Sequence, residues 1–321
     1  MKRLVAIGEA LIDFIPNKKG QRLKDVESFR RVAGGAPANV AGAVAKLGGQ
    51  ATFLTALGQD AFGDYIIESL KESNIHTDAI TRLQDYDTSL AFVSLADDGN
   101  RDFKFYRRTA ADLQFSPENI PHDILNNAGF IHFCSVDLVE SPMKQAHKKL
   151  IDMALQNNVY VSFDPNLRLS LWDDHEALKQ TVNEFLPLAH VVKISDEELE
   201  FITGYTSIEE ALPTLMQGNT EMVIYTKGKD GASLYRKDEH IFVEGNTVDV
   251  VDTTGAGDSF IGSFLYYILK EDTDLSTISS ETLKSCLYHA NAYAACTTTR
   301  EGALASMANQ EEFQTFLTTI K

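Results

Sequence analysis

The sequence predicts an α/β fold: a mostly parallel central sheet with helices on both faces, interrupted by a small antiparallel β insertion. Three observations carry that prediction. Short apolar strands alternate with helical segments through most of the 321 residues. The alternation breaks once, over residues 88–107, where the pattern is that of a hairpin. A glycine-rich turn, Asp252-Thr-Thr-Gly-Ala-Gly-Asp258, stands between a β-type run and a helix, the place where open sheets bind ligands.

Leu4 to Ile7 is a short apolar strand stopped by Gly8. Residues 38–47 are alanine-rich and predict a helix, with Pro37 in the favoured first-turn position. Gly48-Gly49 ends it; Ala51 to Leu57 reads as a strand and Ala61 to Ser73 as a helix. Thr88 to Ala96 and Arg101 to Arg107 are strands joined by the turn Asp97-Asp-Gly-Asn100. Such an early insertion suits a lid or a dimer contact, and equally an ordinary edge hairpin. The βα alternation then resumes with strands at Gly129–Cys134, Val159–Phe163, Val191–Ile194 and Met222–Thr226. Helices are predicted at Ser141–Asn157 and near 175–186. Ile241 to Val251 reads as a β-type run and Ser259 to Leu269 as a helix. Without a linker or repeat, residues 1–321 read as one unit.

Composition excludes several classes. Apolar residues make up 44% and charged residues 23%, as in soluble globular proteins. The formal net charge is −17, which disfavours nucleic acid or an anionic membrane as partner. Three scattered cysteines, Cys134, Cys286 and Cys296, make neither a disulfide framework nor a metal motif, and they suit a reducing cytoplasm. Glu9 and Asp13 interrupt what would otherwise resemble a signal peptide, and no run approaches the ~18 apolar residues of a membrane span.

The glycine-rich turn carries the chemistry. Free backbone N–H groups and the positive end of a helix bind anions, phosphate above all. Asp258 places a carboxylate at the same spot, which suits phosphoryl transfer to a hydroxyl; the same residues also suit an ordinary helix start. Upstream, Gly34-Gly-Ala-Pro-Ala-Asn39 allows close backbone approach to a ligand, and Asn39 offers donor and acceptor. Asp13 lies just past the first strand, where a carboxylate suits sugar hydroxyls. A P-loop, a dinucleotide fingerprint and the protein-kinase motifs are all missing.

Gly34-Gly-Ala-Pro-Ala-Asn-Val-Ala, then Gly48-Gly and Gly58-Gln-Asp-Ala-Phe-Gly63, resembles the first signature of the ribokinase-like (PfkB) carbohydrate kinases. Asp252 to Asp258 resembles their second. The resemblance covers essentially the whole chain. It implies a three-layer sandwich with a β lid from about 14–33 and 86–110, and possible homodimers through that lid. It implies ATP as phosphoryl donor, Mg²⁺ with the nucleotide, and potassium beside the anion hole.

Residue roles follow from the same resemblance. Asp258 matches the catalytic base, and Gly255, Ala256 and Gly257 match the anion hole. Asp13, Gly34, Gly35 and Asn39 match sugar-contacting positions. Ser195-Asp-Glu-Glu198 stands where many members carry Asn-x-x-Glu, tied to the magnesium–phosphate network; here Ser195 replaces Asn, Glu198 fits, and Lys193 just before it is expected on the cofactor side. Thr226 and Gly228 match the nucleotide-phosphate loop, and Asn291 the adenine side. Asp252, Thr254, Thr297, Arg300, Gly302 and Ser306 match a monovalent-cation site.

Three segments resemble the fructokinases of that family: Phe103-Lys-Phe-Tyr-Arg107, Asp164-Pro-Asn-Leu-Arg-Leu-Ser-Leu-Trp172, and Lys193-Ile-Ser-Asp-Glu-Glu-Leu199. Phe103 and Phe105 on one face of the hairpin favour a neutral sugar. Arg168 suits a hydroxyl or a carboxylate, so 2-keto-3-deoxygluconate kinase is the nearest rival. Arg107 is expected either to reach the phosphoryl oxygens on lid closure or to be a surface charge. A non-catalytic kinase-like regulator is the remaining alternative, although Asp258 and both flanking glycines are intact.

Overall fold

The computed structural model describes residues 1–18, 20–95, 101–237 and 239–320, with only the backbone described at 94–95 and 101–103. The chain begins with β1 (Arg3–Ile7), β2 (Leu11–Pro16), β3 (Phe29–Gly34), α1 (Ala36–Lys46), β4 (Ala51–Gly58), α2 (Ala61–Glu72) and β5 (Ile80–Leu83). The hairpin β6 (Leu90–Leu95) and β7 (Arg101–Tyr106) follows, then β8 (Ala128–Cys134), α3 (Pro142–Gln156), β9 (Tyr160–Asp164) and α4 (His175–Phe185). Next come β10 (Val191–Ser195), α5 (Asp196–Thr203), α6 (Ile208–Leu215), β11 (Met222–Thr226), β12 (Ala232–Arg236) and β13 (Glu239–Val243). The chain closes with α7 (Ala256–Glu271), α8 (Ser280–Thr298) and α9 (Gln310–Leu317).

The large sheet has the order β13-β12-β11-β10-β9-β8-β1-β4-β5. It is parallel from β11 to β5 and antiparallel only at the β11–β12–β13 end. Successive side chains of a strand face opposite sides, and the core divides accordingly. Leu4 and Ala6 of β1 join the core under α1, α7 and α8; Val5 and Ile7 join the one under α3 to α6. Burial on both faces explains why these strands read as unbroken apolar runs. The three cysteines are buried and unpaired.

The smaller sheet has the order β3-β2-β6-β7 and grows directly from the first strand, because β2 starts four residues after β1 ends. Asp13 of β2 registers with Ala91 of β6, and Ala91 with Phe105 of β7, so these three share one face. On the other face Phe14 stacks on Phe92 with ring centroids 4.6 Å apart, and Phe62 of α2 meets Phe14 edge-on.

Several elements depart from expectation. The β-type run ends at Val243 instead of Val251, because Gly245-Asn246 follows and no strand continues to 251. Its partner β12, forming a second hairpin, is not evident in the sequence pattern, nor is β5. Helix α7 starts at Ala256, inside the glycine motif, so Asp258 stands in its first turn. Among the described residues no helix is long and apolar enough to cross a membrane.

Candidate active site

A cavity of about 230 Å³ opens at the carboxyl ends of the parallel strands, between the two sheets. Gly255, Ala256, Gly257 and Asp258 line one wall. Asp13, Gly35, Asn39 and Phe105 line another, and Asn166, Arg168 and Lys193 a third. A larger cavity, about 380 Å³, lies at the opposite strand ends beside Lys2, Tyr160 and His190 and contains none of the motif residues. The chemistry therefore belongs to the smaller one.

Local backbone geometry explains the two glycine motifs. Gly255 caps α7 with φ +76°, a left-handed conformation that side-chain-bearing residues avoid. Gly35 caps α1 with φ +117°, where an added Cβ would collide with the Glu9 carbonyl. The start of α7 thus points its positive end into the cavity. The Ala256 amide also makes a 3.2 Å bond to the Thr253 carbonyl, so it must leave that acceptor to bind an anion.

Asp258 is buried, and both its oxygens are held. Asn39 donates to Oδ2 at 2.8 Å and Asn166 to Oδ1 at 2.8 Å. Burial raises its carboxyl above the usual range; the Asn39 bond, the Arg168 and Lys193 charges and the Asn166 bond pull the other way without cancelling it. Arg168 in turn donates to Asn166 Oδ1 at 2.6 Å. A chain Arg168–Asn166–Asp258–Asn39 therefore fixes the Asp258 carboxylate from both sides. Asn166 stands outside the predicted site, although it lies in the Asp164–Trp172 segment. Its left-handed backbone, φ 45°, aims the amide at Asp258. Asn166→Ala is expected to lower kcat roughly 10- to 100-fold through misplacement of the carboxylate, with a small change in melting temperature; steady-state kinetics measures it.

Lys193 Nζ bonds Asp164 Oδ2 at 2.9 Å, and both groups are buried. Burial alone would lower the ammonium, but Asp164, Glu198 and Asp258 outweigh it and keep Lys193 protonated. A Cβ built on Gly257 would stand 3.1 Å from Nζ, which puts this cation beside the helix start.

Other expected residues are placed differently. Ser195 and Glu198 form the capping box of α5: Glu198 Oε2 accepts from the Ser195 backbone at 2.9 Å and from its hydroxyl at 2.8 Å. Glu198 Oε1 accepts from the Leu167 amide at 2.8 Å. Protein donors occupy both oxygens, so Glu198 positions the Asn166–Arg168 loop and stands behind the cavity. Thr226 registers beside Ser195 at the neighbouring strand end, and Gly228 follows with φ 50°. Asn291 Nδ2 is committed to the carbonyls of Val243 at 3.0 Å and Glu244 at 3.1 Å, so this amide braces the loop after β13. Gly34 is buried beside Asp13. The Phe103 side chain lies outside the described residues.

Arg107 requires a correction. It is neither a surface charge nor aimed at the anion hole. Its guanidinium bonds Asp112 at 2.6 Å and Asp137 at 2.5 Å, with Ser89 at 3.2 Å, and its side chain is 8% exposed. Two buried carboxylates hold it just after β7.

Of the residues expected around a monovalent cation, Asp252, Thr254 and Gly302 are bonded to one another. Asp252 accepts from the Thr254 amide at 3.0 Å and hydroxyl at 2.7 Å, and from the Gly302 amide at 3.0 Å. The Asp252 amide reaches the Thr298 carbonyl at 3.2 Å, beside Thr297. Ser306 is buried next to Ala303. Arg300 turns its guanidinium to Glu312, leaving only its carbonyl for such a role. The available donors are oxygens, and the described residues contain no cluster of His, Cys, Asp and Glu suited to a transition metal. That chemistry fits potassium.

Glu9 was missed as a site residue, although a charged residue inside an apolar run is a visible signal. It lines the cavity, is 3% exposed, and accepts from the Ala36 amide at 2.8 Å. Burial, then the charge of Asp137, pushes its carboxyl up to about 8. A carboxyl with a raised folded pKa binds more protons folded than unfolded. Between the ordinary value and about 8 the folded state therefore loses stability as pH rises. Melting temperature is expected to fall from pH 5 to 8, and Glu9→Gln to flatten part of that slope; scanning calorimetry across this range tests both.

Fold and site together define a small-molecule kinase, with an anion-binding helix start and a buried carboxylate facing one cavity. Residues 1–310 match the pfkB family carbohydrate kinases, and the chain belongs to that family. It is 39% identical over 315 residues to fructokinase-2 of Solanum habrochaites, covering 98% of this chain and 95% of the relative. A fructokinase with bound ATP from Xylella fastidiosa superposes with a TM-score of 0.91 at 34% identity, covering 99% of this chain and 98% of that one. A double-mutant fructokinase from Vibrio cholerae, bound to fructose, ADP and potassium ion, gives 0.89 at 32% identity, with 99% and 98% coverage.

Proposed function

We infer that this protein phosphorylates fructose at the expense of ATP, giving fructose 6-phosphate. The observation that carries the chemistry is the placement of Asp258. Its carboxylate is clamped by Asn39 and Asn166 in the same cavity as the Gly255–Gly257 helix start. Asp258 accepts the proton of the terminal hydroxyl and orients it. The amides of Gly255 and Gly257, with Lys193, receive the γ-phosphoryl group. Mg²⁺ bound to the nucleotide phosphates would supply charge neutralisation there. Potassium held by Asp252 and the carbonyls around it would fix the loop that leads into the helix start.

A neutral sugar fits this cavity better than a keto-acid. Asp13 and Asp258 line it, Lys193 is paired with Asp164, and Arg168 donates to the Asn166 side chain. Phe105 adds an apolar face. The fructokinase relatives support the same choice. ADP release should be followed with fructose, ribose, adenosine, 2-keto-3-deoxygluconate and fructose phosphates in the presence of Mg²⁺ and K⁺. Turnover with fructose is expected; turnover with the keto-acid alone would sink the assignment.

Homodimer formation through the small sheet belongs to the same reading and rests on family resemblance. Sedimentation velocity should show a species of twice the chain mass; a monomer at micromolar concentration would refute it. A reducing, cytoplasmic setting suits the three buried, unpaired cysteines.

A further inference from the structure

Among the acids lining the pocket, Glu9 is the one to which the family resemblance assigns no role. It lies on the segment joining β1 to β2, with Oε1 bound to the Ala36 amide at 2.8 Å. Oε2 is buried and has no hydrogen-bond partner. Leaving such an atom unsatisfied is costly, so it calls for a ligand. Glu9 also lines the cavity that holds Asp258.

Its placement matches the size of a sugar. Ala36 and Asn39 are the first and fourth residues of α1, one helical turn or roughly 5 Å apart. Glu9 binds the amide of the first, and Asp258 accepts from the side chain of the second. The two acids therefore bracket the same turn, with Asp13 and Phe105 on the facing sheet.

We propose that Glu9 is a specificity-determining sugar-binding residue, whose Oε2 meets one hydroxyl of the ketose away from the hydroxyl that Asp258 activates. This rests on the fructose reading. Burial keeps a proton on the Glu9 carboxyl at neutral pH, so Oε2 acts as donor. Glutamine preserves both features: a carbonyl for the Ala36 amide and an N–H₂ in place of Oε2.

The test compares wild type, Glu9→Gln and Glu9→Met on fructose and on a set of monodeoxy fructoses, each lacking one hydroxyl other than the phosphorylated one. Glu9→Ala replaces Glu9→Met if thermal melting shows the latter unfolded. Wild type and Glu9→Gln should lose roughly 5- to 50-fold in kcat/KM on one particular deoxy sugar. Glu9→Met should show a similar rise in KM for fructose, an unchanged KM for ATP, and no further loss on that same sugar. A purely structural role would depress all sugars in parallel. Equal deoxy penalties in wild type and Glu9→Met would overturn the proposal alone. Absence of fructose turnover by wild type would overturn it together with the fructose assignment.

Discussion

Replacing Asp258 with Asn is expected to cut kcat by roughly 10²–10⁴ while KM for both substrates stays within about threefold. The carboxylate accepts one bond from each of two asparagine amides, Asn39 and Asn166. An asparagine at 258 keeps the shape, and one neighbouring amide can flip to restore its bond. The fold should therefore survive, leaving the lost proton acceptor as the main change. Steady-state kinetics with a thermal melt separates the two. Near-normal turnover would remove Asp258 from the chemistry and leave it as a buried acceptor that ties Asn39 to Asn166.

The second large effect is on stability. Arg107→Ala should destabilise the protein by about 3–5 kcal/mol, because it strands Asp112 and Asp137 as buried, unpaired carboxylates. Asp137 can relieve part of this by protonating, since burial followed by the Asp112 charge already pushes it up to about 7. The loss should therefore be larger at pH 8 than at pH 6, as measured by chemical denaturation. Arg107→Lys should recover only part of it, since an ammonium lacks the fork that reaches two carboxylates. A fall in kcat with an unchanged midpoint would return Arg107 to the phosphoryl group.

Legibility in the sequence follows the range of the interactions involved. The parallel strands are evident because both faces are buried and their apolar runs are local. The glycine turn before α7 is evident from its composition, although the helix begins at Ala256, three residues earlier than expected. Strand β5 and the β12–β13 hairpin are not evident, since they are short, lie at the sheet ends and carry mixed residues. The burial of Arg107 is equally hidden. Its partners lie 5 and 30 residues away, and nothing in Arg107-Arg108 distinguishes the buried side chain from the exposed one. Asn166 was hidden because it sits in an ordinary-looking loop 92 residues from Asp258, with a positive φ the sequence does not announce. Glu198 shows the reverse case, where an acid expected beside the phosphates bonds its own helix cap through Oε2 and the Leu167 amide through Oε1.

The central position of β1 bears on how the protein is made. Its sheet neighbours are β4 on one side and β8 on the other, and the helix start that faces it begins at Ala256. A growing chain exposes this apolar strand first and supplies its second partner only after Ala128 has been synthesised. The pocket has no phosphate-binding wall until the last quarter of the chain has emerged. Products arrested before Gly255 are therefore expected to lack activity and to expose the apolar β1, a hazard for aggregation.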